Sequence, residues 1–130
     1  MSREILQPAG WARPRGYANG IAAQGRQVFV AGQIGWDAEQ RFASDGFAAQ
    51  VRQALANVVA VLACAGAKPE HLVRMTWYVT SRDEYNAALA EVGAAWRELI
   101  GRNFPAMSVV VVAGLLEPRA KVEIEATAVV

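Results

Sequence analysis

Residues 109–113 form an uninterrupted apolar stretch, Val-Val-Val-Val-Ala, that predicts a buried β-strand near the end of the chain. Alternate side chains of a strand point to opposite faces of its sheet. A strand that is apolar at every position is therefore typical of a sheet covered on both faces. Any fold of this chain has to supply two covers for this strand.

Two predicted helices can supply one of these covers. From Phe47 to Leu62 the apolar residues recur at intervals of three and four, which is the stripe of an amphipathic helix, and Gly66 follows where a C-terminal cap is expected. Residues 81–84 read Ser-Arg-Asp-Glu. This capping box predicts the start of a second helix, which ends before Gly101.

Period-two alternation of apolar and polar residues predicts further strands at residues 73–80 and 121–128. Residues 18–24 and 27–33 are also strand-like, and the two-residue connection between them contains a glycine, which predicts a hairpin. The resulting order, β-β-α-β-α-β-β, predicts an α+β fold with a mixed sheet and both helices on one face. The opposite face then needs another cover, and a second copy of the chain is the simplest candidate.

We expect a single domain that spans residues 1–130, because no linker, internal repeat or low-complexity tract divides the chain. Residues 1–16 contain two prolines and two glycines, and they predict an irregular N-terminal arm with one short strand near Ile5. We find no signal-peptide pattern, and no segment approaches the roughly 20 uncharged apolar residues that span a bilayer. We therefore expect a cytoplasmic protein without a membrane partner.

The charge balance bears on the choice of partners. Thirteen Lys+Arg residues face twelve Asp+Glu residues, which gives a formal net charge of +1. Nucleic acids and anionic membranes are bound by clustered cations, so neither is expected as the main partner. Cys64 is the only cysteine and is expected to be a small buried apolar residue outside any disulfide. Because His71 is the only histidine, no metal site is predicted.

Six stretches of this chain resemble, in order and spacing, the reactive-intermediate deaminases, also called the YjgF/RidA family. Together they extend from about Tyr17 to Ala128. They are Gly-Tyr-Ala-Asn-Gly-Ile at 16–21, Val-Phe-Val-Ala-Gly-Gln-Ile at 28–34, Gln-Val-Arg-Gln-Ala-Leu-Ala-Asn-Val at 50–58, Val-Arg-Met-Thr-Trp-Tyr-Val-Thr at 73–80, Phe-Pro-Ala-Met-Ser at 104–108 and Val-Glu-Ile-Glu-Ala at 122–126.

The resemblance implies both an architecture and an activity. The subunit would have a chorismate-mutase-like α+β fold and form a homotrimer whose sheets face an internal barrel. Small-molecule ligands would bind in the clefts between neighbouring subunits. The implied activity is the hydrolysis of reactive enamines or imines to a carbonyl compound and ammonia, without a cofactor.

The resemblance also implies three site residues that this chain keeps. Glu125 matches the family glutamate that positions the attacking water, and it is the candidate catalytic residue. Tyr17 and the backbone at Gly32 match positions that contact the ligand. Glu123, on the same predicted face as Glu125, is expected to be structural.

Three other positions of the implied site depart from the family pattern. Where the family motif Pro-Ala-Arg-Ser holds an arginine that clamps the substrate carboxylate, this chain has Met107. A methionine cannot form the bidentate ion pair for which arginine is used. Leu89 stands where the family often has an asparagine, and Val109 stands where a cysteine or threonine is common. Met107 and Leu89 are therefore candidate wall residues of an altered ligand pocket.

Each candidate also has a purely structural interpretation, which the sequence leaves open. Glu125 could face solvent beside Lys121 on an alternating strand, since an unpaired buried carboxylate is costly. Tyr17 could be an interface residue. Gly32 could simply end a strand, and Met107 could fill a gap in the core.

Two functional hypotheses follow from these residues. In the first, the protein is an enamine or imine deaminase of altered specificity, whose substrate lacks a simple α-carboxylate or has it held by Arg119 or by backbone. Trp36 is a candidate for the mouth of its pocket. In the second, the protein is a non-catalytic trimer that binds a small apolar metabolite as a sensor or chaperone. A ribonuclease, a label used for some family members, has no support in the charge pattern.

Overall fold

The computed structural model describes residues 2–130. In this range the chain has six strands, three α-helices and a short 3-10 turn at Pro69–His71. This confirms the α+β class predicted from the sequence. The strands are β1 (Ser2–Leu6), β2 (Gly20–Gln24), β3 (Gln27–Ile34), β4 (Leu72–Val79), β5 (Ala106–Val111) and β6 (Val122–Val129), and the helices are α1 (Phe47–Cys64), α2 (Arg82–Ala87) and α3 (Leu89–Leu99).

Four of the described strands form a mixed sheet in the order β3-β6-β4-β5. β4 and β5 are parallel, and the other neighbours are antiparallel. β1 and β2 form a separate antiparallel ribbon, and β1 contains the strand predicted near Ile5. Arg3 fastens this ribbon beside the start of β4, because its Nη1 donates to the carbonyl oxygens of Glu70 at 2.6 Å and Leu72 at 2.7 Å.

The predicted hairpin between residues 18–24 and 27–33 is wrong, although both strands form. β2 pairs with β1, and β3 pairs with β6. The reason lies at the connection, where Arg26 and Val130 exchange two backbone hydrogen bonds of 2.8 Å and so extend the β3–β6 pairing to the end of the chain. Gly25 has a φ of +150°, and a Cβ there would lie 2.7 Å from the carbonyl oxygen of Val130. Glycine permits this close approach.

The predicted second helix is present but divided in two. Ser81 caps its start, because the Ser81 hydroxyl accepts a hydrogen bond from the backbone N–H of Glu84 at 3.1 Å. At Ala88 the backbone leaves the helical region, with φ −107° and ψ 11°, and its N–H bonds to the carbonyl of Tyr85, three residues earlier. The break at Ala88 separates α2 from α3.

α1 and α3 pack side by side on one face of the sheet, as predicted. By length and composition alone α1 could cross a membrane. Its apolar stripe packs against the sheet, however, as in the core helix of a globular protein. Each large apolar side chain buried in this way contributes about 1.5–3 kcal/mol. The fully buried residues of the stripe are Val51, Ala54, Leu55, Val58 and Leu62.

Cys64 is exposed, so the prediction that it is buried is wrong. Cys64 is the last residue of α1 and follows the buried Leu62 by two positions. Two residues correspond to more than half a turn of an α-helix, which moves the thiol to the solvent side. The Cys64 Sγ lies 3.6 Å from the carbonyl oxygen of Ala60, on the same exposed part of the helix.

The face of the sheet opposite the helices has no cover within the described chain. On this face Phe29 is 72% exposed and Val110 is 41% exposed. β5, the strand that the sequence predicts to be covered twice, lies at the edge of the sheet. We call the uncovered side, with Phe29, Val110, Glu123 and Glu125, the open face. Its second cover stays a prediction.

Candidate functional site

A cleft of about 750 Å³ lies between the edge strand β5, helix α3 and the loop before β2. β5 contributes Met107, α3 contributes Leu89 and the loop contributes Tyr17. The backbone N–H of Ala18 donates to the carbonyl oxygen of Pro105 at 2.9 Å. This bond ties the loop to the start of β5 and brings Tyr17 and Met107 to the same cavity.

The floor of the cleft is aromatic. Trp96 stacks on Phe104 with ring centroids 6.2 Å apart and planes inclined by 7°. Trp77 lies 6.1 Å from Trp96 and meets the ring of Tyr85 edge-on at 6.5 Å. Burial raises the pKa of the Tyr85 hydroxyl, so this group stays neutral at physiological pH. The indole N–H groups of Trp77 and Trp96 have no hydrogen-bond acceptor within residues 2–130.

Three of the five predicted site residues, Tyr17, Leu89 and Met107, therefore share one cavity. They lie far apart in the sequence and on three different elements. The parallel pairing of β4 and β5 sets the position of Met107, which is opposite the buried Met75. Met107 is partly buried and belongs to the wall of the cleft.

Glu125 lies elsewhere, on the open face. Its Oε1 accepts a hydrogen bond of 2.7 Å from the hydroxyl of Tyr78. The side chain is exposed and forms no ion pair within residues 2–130 with Lys121 or Arg119, which bind Glu84 at 3.1 Å and Asp45 at 2.8 Å. A single chain therefore does not bring Glu125 to the cleft that holds Tyr17.

Gly32 also lies on the open face, and its neighbour there is Glu123. A Cβ at Gly32 would come within 2.7 Å of the Glu123 carboxyl carbon and 2.8 Å of its Cγ. Position 32 is thus a glycine because the side chain of Glu123 passes directly over it. A register shift between Val30 and Gln33 accompanies this close approach. The carboxylate beside Gly32 in this chain is Glu123, which the sequence pattern alone assigns to a structural role.

The cleft also contains three cations that were not among the predicted site residues, Arg15, Arg97 and Arg102. The described residues that line the cavity include these three arginines and no aspartate or glutamate. A usable signal for Arg97 exists in the sequence, because it follows Gly93 by one helical turn and flanks the predicted apolar stripe of its helix. Arg15 and Arg102 lie in irregular segments, which carry no such pattern.

Arg119 and Trp36, proposed as alternative pocket residues, lie outside this cleft. The Arg119 guanidinium is bonded to Asp45 and sits 5.1 Å above the ring of Phe42. Trp36 packs against the same ring at 5.9 Å. Both side chains therefore hold the loop before α1 in place.

A second cavity, of about 860 Å³, adjoins the cleft on the side of the N-terminal arm. Tyr17, Arg102 and Phe104 line both cavities and separate them. Trp11, in the arm, is exposed and borders only the second one. Across residues 2–130 no group of three or more His, Cys, Asp or Glu side chains could hold a metal ion.

Comparison with known proteins shows the family. The chain matches the family model described as Endoribonuclease L-PSP over residues 11–130. A 2-iminobutanoate/2-iminopropanoate deaminase from Salmonella typhimurium is 34% identical over 129 residues, covering 99% of this chain and 98% of that protein. The human protein of the same name is 30% identical over 105 residues, covering 80% of this chain and 73% of that protein.

Solved structures agree with this assignment. A protein of unknown function of the conserved Rid family, from Yersinia pestis, has a TM-score of 0.88 to this chain at 32% identity, with 100% of both chains covered. The α+β fold is thus that of a Rid-type protein. The chain belongs to the YjgF/RidA family, whose model carries the Endoribonuclease L-PSP description.

Proposed function

We propose that this protein is an enamine or imine deaminase, which hydrolyses reactive enamines or imines to a carbonyl compound and ammonia. The observation that carries this proposal is the convergence of Tyr17, Leu89 and Met107 in one cleft. The relatives named as imine deaminases, with identity over nearly the whole chain, support the same chemistry.

The reaction needs a water molecule, a base and a route for protons. The water oxygen attacks the imine carbon while a carboxylate takes one water proton and passes it to the nitrogen, so that a carbinolamine forms. The carboxylate then takes the hydroxyl proton of the carbinolamine and delivers it to the amino nitrogen. The C–N bond breaks, and ammonia leaves with the carbonyl product. An enamine first takes a proton on carbon, while its nitrogen loses one, to become the imine. A positioned carboxylate that accepts and returns a proton in each of the two steps is sufficient.

Glu125 is our candidate for this carboxylate. Tyr78 holds Oε1, which leaves Oε2 free to accept a hydrogen bond from water. Glu123 is the second candidate, because it is partly buried and lies against Gly32. The two carboxylates lie two positions apart on the same face of β6.

We further propose that the working form is a homotrimer. The cleft and the carboxylates lie on different faces of the sheet, so one chain cannot present them to the same molecule. A neighbouring copy that covers the open face would bring its cleft to these carboxylates and bury Phe29 and Val110. Light scattering during gel filtration is expected to give a mass about three times 14.0 kDa, and a monomer would contradict this arrangement.

Met107 in place of an arginine is the basis of an altered specificity. We propose that the enzyme acts poorly on small imino acids that depend on a clamp at this position.

No cofactor, nucleic acid or membrane enters the proposal. The exposed free thiol of Cys64 suits a reducing compartment, so the cytoplasm is our proposed location.

A deaminase assay tests the proposal. Imines are generated in situ with an amino-acid oxidase, and carbonyl release is compared with spontaneous hydrolysis. Wild type is expected to accelerate release, and Glu125→Ala is expected to abolish the acceleration. Glu91→Ala, an exposed carboxylate outside the cleft and off the open face, serves as the matched control. Activity that appears only in Met107→Arg would mean that the scaffold is intact but lacks its clamp.

The second candidate function is a non-catalytic trimer that binds a small apolar metabolite as a sensor or chaperone. The observation in its favour is the apolar wall that Met107 and Leu89 give the cleft. It predicts ligand binding without turnover in every variant of the assay. A wild type that is silent with all imines tested, but binds their carbonyl products, would support this alternative.

A further inference from the structure

Resting on the proposed function, we infer that the cleft binds a bulky apolar or aromatic carboxylate, with Arg97 as the group that holds the carboxylate. Arg97 of helix α3 would thereby take over the role of the arginine that the family has where this chain has Met107.

The size and lining of the cleft argue for a bulky ligand. A cavity of about 750 Å³ lies within the range of pockets that enclose drug-sized molecules. A four-carbon imino acid would fill only a small part of it. The walls present Leu89, Met107 and the stacked rings of Trp96 and Phe104, which favour a ring or a long apolar chain.

The charge of the cleft argues for an anion. The three arginines of the lining are not opposed by any acidic residue among the described residues that form the cavity. An apolar cleft with guanidinium groups at its edge attracts ligands that combine an apolar body with a negative end. Glu98, the acidic neighbour of Arg97 in sequence, is engaged in an ion pair with Arg52.

Arg97 is the arginine best placed to act as the clamp. Its Nη1 lies 3.4 Å from the position that a Cβ at Gly93 would occupy, and Gly93 itself lines the cleft. The guanidinium is thus folded back along α3, over the one position where the helix has no side chain. Arg15 and Arg102 lie in loops, whereas groups on a helix are held more precisely. A guanidinium forms two parallel hydrogen bonds with a carboxylate.

Calorimetric titration with three probes tests the inference without requiring turnover. The probes are 3-phenylpropanoate, its uncharged analogue 3-phenylpropanamide, and butanoate, which has the charge without the ring. The first is expected to bind at least about tenfold more tightly than the amide, since a charge-assisted hydrogen bond is worth about this factor. It is expected to bind more tightly than butanoate as well, because butanoate lacks the ring that the apolar walls would bury. Equal affinity for the acid and its amide would overturn the inference.

Substitutions test whether Arg97 is the residue that binds the carboxylate. Arg97→Gln is expected to weaken binding of 3-phenylpropanoate about tenfold and to leave 3-phenylpropanamide unchanged. A role of Arg97 in helix stability alone would not remove the preference for the acid over the amide. Gly93→Leu, which displaces the guanidinium while adding a better helix former, is expected to act in the same direction. Arg82→Gln, an exposed arginine outside the cleft, is the control, and an effect equal to that of Arg97→Gln would contradict the assignment.

The two proposals can fail separately. If binding prefers the acid and depends on Arg97, but imine hydrolysis is not accelerated, the proposed ligand class is supported and the proposed deaminase activity is contradicted. If wild type and Arg97→Gln hydrolyse small aliphatic imines at the same rate, the proposed deaminase activity is supported and the proposed ligand class is contradicted.

Discussion

The hydroxyl of Tyr78 donates a hydrogen bond of 2.7 Å to Oε1 of Glu125, between the neighbouring strands β4 and β6. This bond fixes the orientation of the carboxylate that we propose as the base. Because it engages only one oxygen, the other remains available to a water molecule. In the proposed reaction Tyr78 is therefore a positioning residue for Glu125.

The same bond predicts that Tyr78 loses its proton at a higher pH than an ordinary tyrosine does. Hydrogen bonding to Glu125 raises the pKa of Tyr78 above its ordinary value of 10.0, and desolvation and the nearby negative charges act in the same direction. The folded state then holds the proton more tightly than the unfolded chain. This contribution to stability is complete below about pH 10 and is lost as the pH rises through the raised pKa.

Phenolate absorbance measures this titration directly. Tyr78→Phe is expected to remove one of the transitions above pH 10.0, and Tyr85→Phe is expected to remove another, because burial raises the pKa of Tyr85. A Tyr78→Phe protein with the same absorbance change above that pH as wild type would contradict the predicted bond.

Glu125→Gln is expected to lower kcat by about 10²- to 10⁴-fold with little change in KM, as the loss of a general base does. The matched variant is Glu123→Gln, which alters the other carboxylate of the same strand. Steady-state kinetics on an imine generated in situ give both values. If Glu123→Gln loses the activity and Glu125→Gln keeps it, the role belongs to Glu123.

Gly32→Ala is expected to push the Glu123 side chain aside and to destabilise the fold by up to about 1 kcal/mol, because position 32 is exposed and the atoms nearest the new Cβ belong to a flexible side chain. The new Cβ would collide with the Glu123 side chain, 2.7 Å from its carboxyl carbon. Gly114→Ala is the control, since no atom lies within 4 Å of a Cβ at that position. Urea denaturation gives the free energy of unfolding. An equal effect of the two substitutions would show that Glu123 does not occupy the space over Gly32.

Val110→Lys is expected to break the trimer, because it places a charge on the open face where a neighbouring copy is proposed to pack. Leu116→Lys changes a side chain that is 100% exposed in a loop, and it is expected to leave the assembly intact. The mass in solution distinguishes the two. A Val110→Lys protein that keeps the mass of wild type would argue against contact at this face.

Local patterns were enough to predict most of the secondary structure. The helix stripes from Phe47 and from Ser81 and the alternation at residues 73–80 all correspond to elements of the structure. The hairpin prediction failed because its turn signal is local, whereas the partner of Arg26 is Val130 at the other end of the chain. Cys64 shows that a helix pattern is also only a local guide. The apolar stripe identifies the buried face of α1, but an apolar residue near the end of the helix can lie outside that face.

The site was predictable only in part. Family resemblance located Tyr17, Leu89 and Met107, which the fold brings to one cleft. It assigned the catalytic role to Glu125 and a structural role to Glu123. Both alternate onto the same face, and only the structure shows that Glu123 is the one that lies over Gly32, at the irregular register of β3. Arg97 flanks the predicted stripe of its helix, but the stripe alone does not show that this flank lines the cleft.

Subunit mixing tests most directly the central claim that the active site is built from the cleft of one copy and the open face of another. Leu89→Glu places a negative charge in the cleft at a residue that is 53% exposed, so the fold tolerates it. Glu125→Gln removes the proposed base and leaves its own cleft intact. Each variant alone is expected to be inactive.

When the two proteins are unfolded together in equal amounts and refolded, mixed trimers contain sites with an intact cleft from one variant and an intact Glu125 from the other. Such sites are expected to restore about a quarter of the wild-type activity if subunits assemble at random around a three-fold axis. Activity that stays at the level of the separate variants, in a sample whose mass confirms mixed trimers, would contradict a site shared between copies.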